Sequence, residues 1–168
     1  MYLALEDIFR ARWTNQIHEE WITNVLKNRP DLSYEKLDAV RSLMDAHVRD
    51  CIVEDYEILI PSVHLPDEND RHVFAAAIKC GADVIVTSNL KDFPDEALRQ
   101  YGMEAQHPDV FIRHLIDLFP ERVCSAARRH RSSLKNPPVD TDQYLELLER
   151  QALHTSTAEL RRLIDALT

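Results

Sequence analysis

The sequence predicts an α/β fold: a parallel sheet flanked by helices, with a helical C-terminal extension. Apolar stripes at helical spacing alternate with short β-branched runs, of which Val84-Ile85-Val86 is the clearest. That alternation marks parallel strands covered by helices. Only 2 glycines occur in 168 residues, so tight turns are few and helix dominates. Beyond residue 106 every apolar stripe has a helical period. The expected division is an α/β domain over 1–106 and a helical extension over 107–168.

Taken in order, YLALEDIF places Tyr2, Leu5, Ile8 and Phe9 on one helical face. Arg10 to Trp13 reads as a short extended segment. Thr14 or Asn15 caps the next helix, Ile17 to Asn28, which buries Ile17, Trp21, Ile22 and Val25 and ends at Arg29-Pro30. Asp31 or Ser33 starts a third helix through Leu37, Val40, Leu43 and Met44, and Glu57 to Ile60 reads as a strand before Pro61. An acidic turn, Asp67, Glu68 and Asp70, opens a helix with Val73, Phe74, Ala77 and Ile78 on its apolar face. Gly81 closes that helix as a C-cap glycine.

The strand Val84–Val86 follows, then a polar turn, Thr87-Ser88-Asn89, and Lys91-Asp92-Phe93. Pro94 to Gln100 reads as a short helix stopped by Gly102, and Met103 to Ala105 as an edge strand. Two helices, Asp109 to Leu118 and Pro120 to Lys135, end at the Asn136-Pro137-Pro138 break. Asp140 or Thr141 caps a helix carrying Tyr144, Leu147 and Leu148, and a last helix, Thr157 to Leu167, carries Leu160, Leu163 and Ile164.

In α/β sheets ligands sit beyond the carboxyl ends of strands and near helix N-termini. The acidic turn and the Thr87 to Asp92 loop are both such places. Two readings fit the acids. Asp67 caps the helix while Asp70 favours its dipole, or several oxygens converge on a hard cation such as Mg2+ or Mn2+.

Composition narrows the function classes. With 20 basic and 29 acidic side chains the formal charge is -9, so repulsion opposes non-specific binding to a phosphate backbone. A nuclease of this charge relies on bound cations or a local basic patch. Such a patch is offered by Arg122, Arg128, Arg129, His130, Arg131 and Lys135, which read equally as a solvated helix face. The 3 cysteines, Cys51, Cys80 and Cys124, form no C-x-x-C pair, which fits reduced thiols in a cytoplasmic protein. No apolar run is long enough to span a membrane, and no signal-peptide pattern follows Met1.

The run from Asp70 to Phe93, D-R-H-V-x-A-A-A-I-x-x-G-A-D-x-I-V-T-x-N-L-x-D-F, resembles the PIN-domain family and in particular its bacterial VapC-like branch. A second piece, Ile17-His18-Glu19-Glu20-Trp21, resembles the family helix that carries a metal-binding glutamate. The resemblance covers about the first 105 residues, and the rest looks like the helical tail of one bacterial branch. It implies a metal-dependent endoribonuclease, using Mg2+ or Mn2+ on RNA, and a toxin held by an antitoxin.

Residue by residue, the resemblance assigns Glu20, with Glu19 as the alternative, and Asp70 as metal ligands, with Asp67 in support. Asn89 falls where many members carry an aspartate, and Asp92 either shares that role or caps the helix that follows. Thr87 and Arg71 are candidates for RNA contact with Arg128, Arg129 and Arg131, and Arg71 and His72 for phosphate or antitoxin.

The chain also departs from the family pattern. PIN domains open with a strand ending in a metal-binding aspartate, whereas this sequence opens inside what reads as the first helix, and Asp7 is a poor substitute. The expectation is a groove with unpaired strand edges, left by a truncated start, a partner-supplied strand or a decayed relative. The function expected is thus a metal-dependent endoribonuclease impaired by the missing aspartate. The alternative is an inactive interaction module binding an antitoxin or a sister chain, including as a homodimer.

Overall fold

The computed structural model describes residues 2–167, with side chains to Ile164. Its helices are α1 (Asn15–Asn28), α2 (Tyr34–His47), α3 (Arg71–Cys80), α4 (Asp95–Arg99), α5 (Pro108–Leu118), α6 (Pro120–Ser133), α7 (Thr141–Arg150) and α8 (His154–Leu167). Two strands, β1 (Val84–Val86) and β2 (Glu104–Gln106), pair in parallel. Glu104 N–H donates to the Asp83 carbonyl at 3.0 Å, and Thr87 N–H to that of Gln106 at 2.9 Å. The α/β class with parallel pairing holds, and helix dominates it.

Some helix starts follow from their side-chain caps. Thr14 Oγ1 accepts from Ile17 N–H at 3.1 Å, so α1 begins two residues before the expected position. Asp140 and Gln143 form a reciprocal capping box at the start of α7. Gly81 closes α3 at φ 63°, a left-handed conformation that costs glycine little.

Two expected elements differ. Glu57–Ser62 is a 3-10 helix rather than a strand. Its apolar run buries by thirds, not by alternation: Leu59 and Ile60 pack on the core while Ile58 is 82% exposed. Near the N-terminus only Ala4–Glu6 is helical, as a single 3-10 turn ended by Asp7 at φ 55°. The extended segment before α1 is present, because Trp13 bridges Ile52 in parallel. Along β1 only Ile85 is buried, and Val86 is exposed.

The chain divides into two compact units. One comprises Arg10–Ile85 and Asn89–Ala105. Its core gathers Val53, Tyr56, Val63, Phe74, Ile85 and Leu98. Within it a buried polar cluster ties α1 to α2. Trp13 Nε1 donates to Asp45 Oδ1 at 2.8 Å, His18 Nε2 lies 2.9 Å from the same oxygen, and Trp21 Nε1 donates to His18 Nδ1 at 2.9 Å. Because Nδ1 accepts, the proton of a neutral His18 sits on Nε2.

The other unit comprises the residues up to Phe9, Val86–Ser88 and those from Gln106 onward. Its core is built from Leu115, Ile116, Val123, Leu145 and Leu160, where α8 packs on α5, α6 and α7. Asp109 fastens α8 to α5: its carboxylate accepts from the Thr155 N–H and Oγ1 at 2.9 and 2.8 Å and from the Ser156 N–H at 2.8 Å. All three cysteines are free thiols. No helix among the described residues is long and apolar enough to cross a membrane.

Candidate metal centre

Three carboxylates from two short segments converge. Asp67, Asp70 and Asp92 each offer an oxygen, all within 4.8 Å of one another. Asp67 caps the 3-10 turn Glu68–Asp70 and accepts from the Asn69 N–H at 2.9 Å. Asp70 directly precedes α3. Asp92 ends the 3-10 turn Leu90–Asp92 beyond β1 and is 9% exposed. Capping and convergence are thus both present: Asp67 caps through Oδ1 and still contributes to the cluster.

The electrostatics register the crowding. Burial pushes the Asp70 carboxyl above the ordinary carboxylate range, and Asp67, Asp92 and Glu20 add to the shift while His72 opposes it. Like charges gathered in a partly dry place are costly, and a bound cation relieves that cost. Octahedral Mg2+ holds oxygens at about 2.1 Å, which sets ligand oxygens roughly 3 to 4 Å apart. The three oxygens, all within 4.8 Å of one another, lie close enough to gather on one such ion with small side-chain adjustment. An all-oxygen, anionic set is what hard divalent cations prefer, so the residues fit Mg2+ or Mn2+.

Helix α1 sends its two glutamates in different directions. Glu19 accepts from the Tyr34 hydroxyl at 3.1 Å and from Arg41 at 2.9 Å, both on α2. Glu20 instead lies against His72 on α3, with Oε1 2.8 Å from Nε2, and its charge reaches Asp70. The Glu20–His72 approach is as short as a hydrogen bond but lies outside hydrogen-bond alignment. It is a close electrostatic contact.

The other expected site residues scatter more widely. Asn89 turns its amide nitrogen onto Asp92 as a donor. Arg71 is engaged by Glu68 at 2.7 Å. Thr87 ends β1 with its N–H in the sheet. Arg129 pairs with Glu6 at 2.8 Å. Arg128 and Arg131 border a pocket of about 200 Å³ floored by Tyr144, Leu145, Leu160 and Ile164. Thr87 and these arginines belong to the unit that does not contain the three aspartates.

Sequence reasoning offered His72 for phosphate or antitoxin, whereas the side chain is buried and faces Glu20. It also missed Gln16, which donates toward Glu20 Oε1 at 3.5 Å. The spacing of Gln16 and Glu20, one helical turn, was the available signal.

Comparison with known proteins adds an independent observation. Residues 108–162 match the family model described as the VapC50 C-terminal domain. Over 94 residues the chain is 40% identical to the protein named "Putative ribonuclease VapC50" from Mycobacterium tuberculosis (strain ATCC 25618 / H37Rv). Over part of its length the chain is thus similar to a protein named as VapC-type. The match takes in 56% of this chain and 55% of that protein, so the chain spans about half the length of the curated relative it matches. No solved structure matches the chain.

Proposed function

We propose that this chain is a VapC-type endoribonuclease of PIN architecture that hydrolyses RNA phosphodiesters with Mg2+ or Mn2+. The observation that carries the reading is the convergence of Asp67, Asp70 and Asp92 within 4.8 Å, with the charge of Glu20 felt at Asp70. The likeness to a protein named a ribonuclease supports it.

In this reading Asp70 and Asp92 are the principal ligands, Asp67 supports them, and Glu20 completes the anionic wall. When bound, the cation supplies charge neutralisation at the scissile phosphate and a lowered pKa for water. Asp92 is held by the Asn89 amide, so Asn89 orients a carboxylate from the position where a further acid was expected. An antitoxin is the protein partner, by likeness to VapC-type proteins, and the setting is cytoplasmic, in keeping with three free thiols.

A second reading, a non-catalytic module that binds an antitoxin or a sister chain, is favoured by Val40 and Leu43, apolar yet exposed on α2. Calorimetric titration with Mg2+ and Mn2+, beside an Asp70→Ala variant, tests the metal site. Cleavage of RNA with and without EDTA tests the activity. The expected result is saturable binding lost in Asp70→Ala, and cleavage lost in EDTA. Metal binding without cleavage favours the interaction module, and absence of binding removes the metal reading.

A further inference from the structure

We propose that His72 is a positioning residue which, together with Gln16, holds the Glu20 carboxylate in place for the divalent cation. The proposal rests on the metal reading above. His72 lies in the first turn of α3, two residues after Asp70, and is 3% exposed. Neither ring nitrogen has a hydrogen-bond partner among the described residues. A buried polar group left so is costly, and most folds would place an apolar side chain there.

What the ring does have is Glu20 Oε1, 2.8 Å from Nε2. The same oxygen receives the Gln16 amide from one turn earlier on α1. Gln16 is in turn held by Tyr56, a buried side chain whose hydroxyl donates to Gln16 Oε1 at 3.4 Å. Tyr56 and Gln16 thus form a chain ending on the same oxygen of Glu20 that His72 approaches. The other oxygen, Oε2, makes no hydrogen bond or ion pair with the described residues.

That division is the useful feature. A glutamate 48% exposed on a helix surface samples many rotamers, and ordering it opposes ligation. Fixing one oxygen from behind leaves the second available to a cation, as outer partners do for ligands at metal sites. The ring also bridges segments: α3 carries His72 just after Asp70, and α1 carries Glu20. Losing such a partner lowers metal affinity by about 10- to 100-fold in general.

The experiment is Mn2+ binding, followed by the loss of the free-ion EPR signal, for the whole chain and five variants. These are Asp70→Asn, Glu20→Gln, His72→Leu, His72→Gln and the double variant His72→Leu with Glu20→Gln. Melting in EDTA checks that each is folded. The expected result is Mn2+ binding that requires Asp70 and is weakened roughly 10- to 100-fold in His72→Leu. His72→Gln, which restores a donor near the Nε2 position, recovers most of it. In the Glu20→Gln background His72→Leu produces no further loss, because the histidine acts through that carboxylate. If binding requires Asp70 but His72→Leu matches the unsubstituted chain, the positioning role is overturned and the metal reading stands. An equal loss in the Glu20→Gln background also overturns it. Binding that is absent, or indifferent to Asp70, overturns the metal reading and the proposal with it.

Discussion

Asp70 is a half-buried carboxylate and Asp109 a buried one, and their environments push them in opposite directions. Asp70 is raised, first by burial and then by Asp67 and Asp92. A raised folded value means that its contribution to stability is present below the ordinary carboxylate pKa and is lost as pH rises through the folded one. At neutral pH its charge is therefore a liability. Asp70→Asn should raise the melting temperature in EDTA at pH 7, by no more than a few degrees because the group is only partly buried and its repulsion is screened. The same variant should show no gain on adding Mg2+. Scanning calorimetry of both forms, with and without the ion, reads both effects.

Burial acts against the charge of Asp109 as well, but hydrogen bonds from Ser156 and Thr155 outweigh it and bring the carboxyl down to about 2. A depressed value stabilises above the unfolded pKa and is lost as pH falls through the folded one. Stability should therefore drop between roughly pH 4 and pH 2. Asp109→Ala, which leaves the donors of Thr155 and Ser156 unsatisfied, should cost on the order of 2–3 kcal/mol at pH 7. Urea unfolding of the two proteins at pH 7 and pH 3 checks this. The difference should shrink at the lower pH.

The elements differ in how far local sequence determines them. The capping box of α7 is wholly local: Asp140 accepts from the Gln143 N–H at 2.8 Å, and the Gln143 side chain accepts from the Asp140 N–H at 3.0 Å. Asp140→Ala should lower stability by about 1 kcal/mol, or ~2–4 °C in melting temperature. Asp140→Asn should restore most of it. Circular dichroism melts distinguish the three. The Gly81 stop and the Val84–Val86 strand were legible for the same reason, since each follows from neighbours in sequence. Glu57–Ser62 was not. Its β-branched and leucine residues suit a strand, yet among the described residues no strand pairs with it to complete a ladder, and it packs on α3 as a 3-10 turn. The aspartates were legible because each sits at an element end that the sequence marks. Which of Glu19 and Glu20 faces them was not, because the answer depends on α2 drawing Glu19 aside through Tyr34 and Arg41, a long-range contact.

At the scale of the molecule, a net charge of -9 sets the terms on which RNA can approach. Phosphate contacts made by Lys and Arg normally carry non-specific affinity, but here many arginines are already paired with acids of the chain, including Arg41, Arg71, Arg113 and Arg129. Two candidate routes to RNA stand out. One is a cation on the three aspartates, which reverses the local sign of the field. The other is the pair Arg128 and Arg131, which line the pocket above Leu145 and Leu160. They make different demands. The cation route predicts that a single-stranded RNA oligonucleotide binds in Mn2+ and releases in EDTA. Saturating ion should also stabilise the protein by about 2.7 kcal/mol at 100 times its dissociation constant. The arginine route predicts binding that persists in EDTA, weakens steeply with sodium chloride and falls in an Arg128→Ala, Arg131→Ala double variant. Because the charge balance is acidic and three aspartates converge within 4.8 Å, the expected outcome of filter binding at fixed ionic strength is the first. Retention of RNA should require the divalent ion, should be lost in Asp70→Asn, and should change less than tenfold in the double arginine variant. Retention in EDTA that depends on the arginines would place RNA recognition on α6 and detach it from the aspartates.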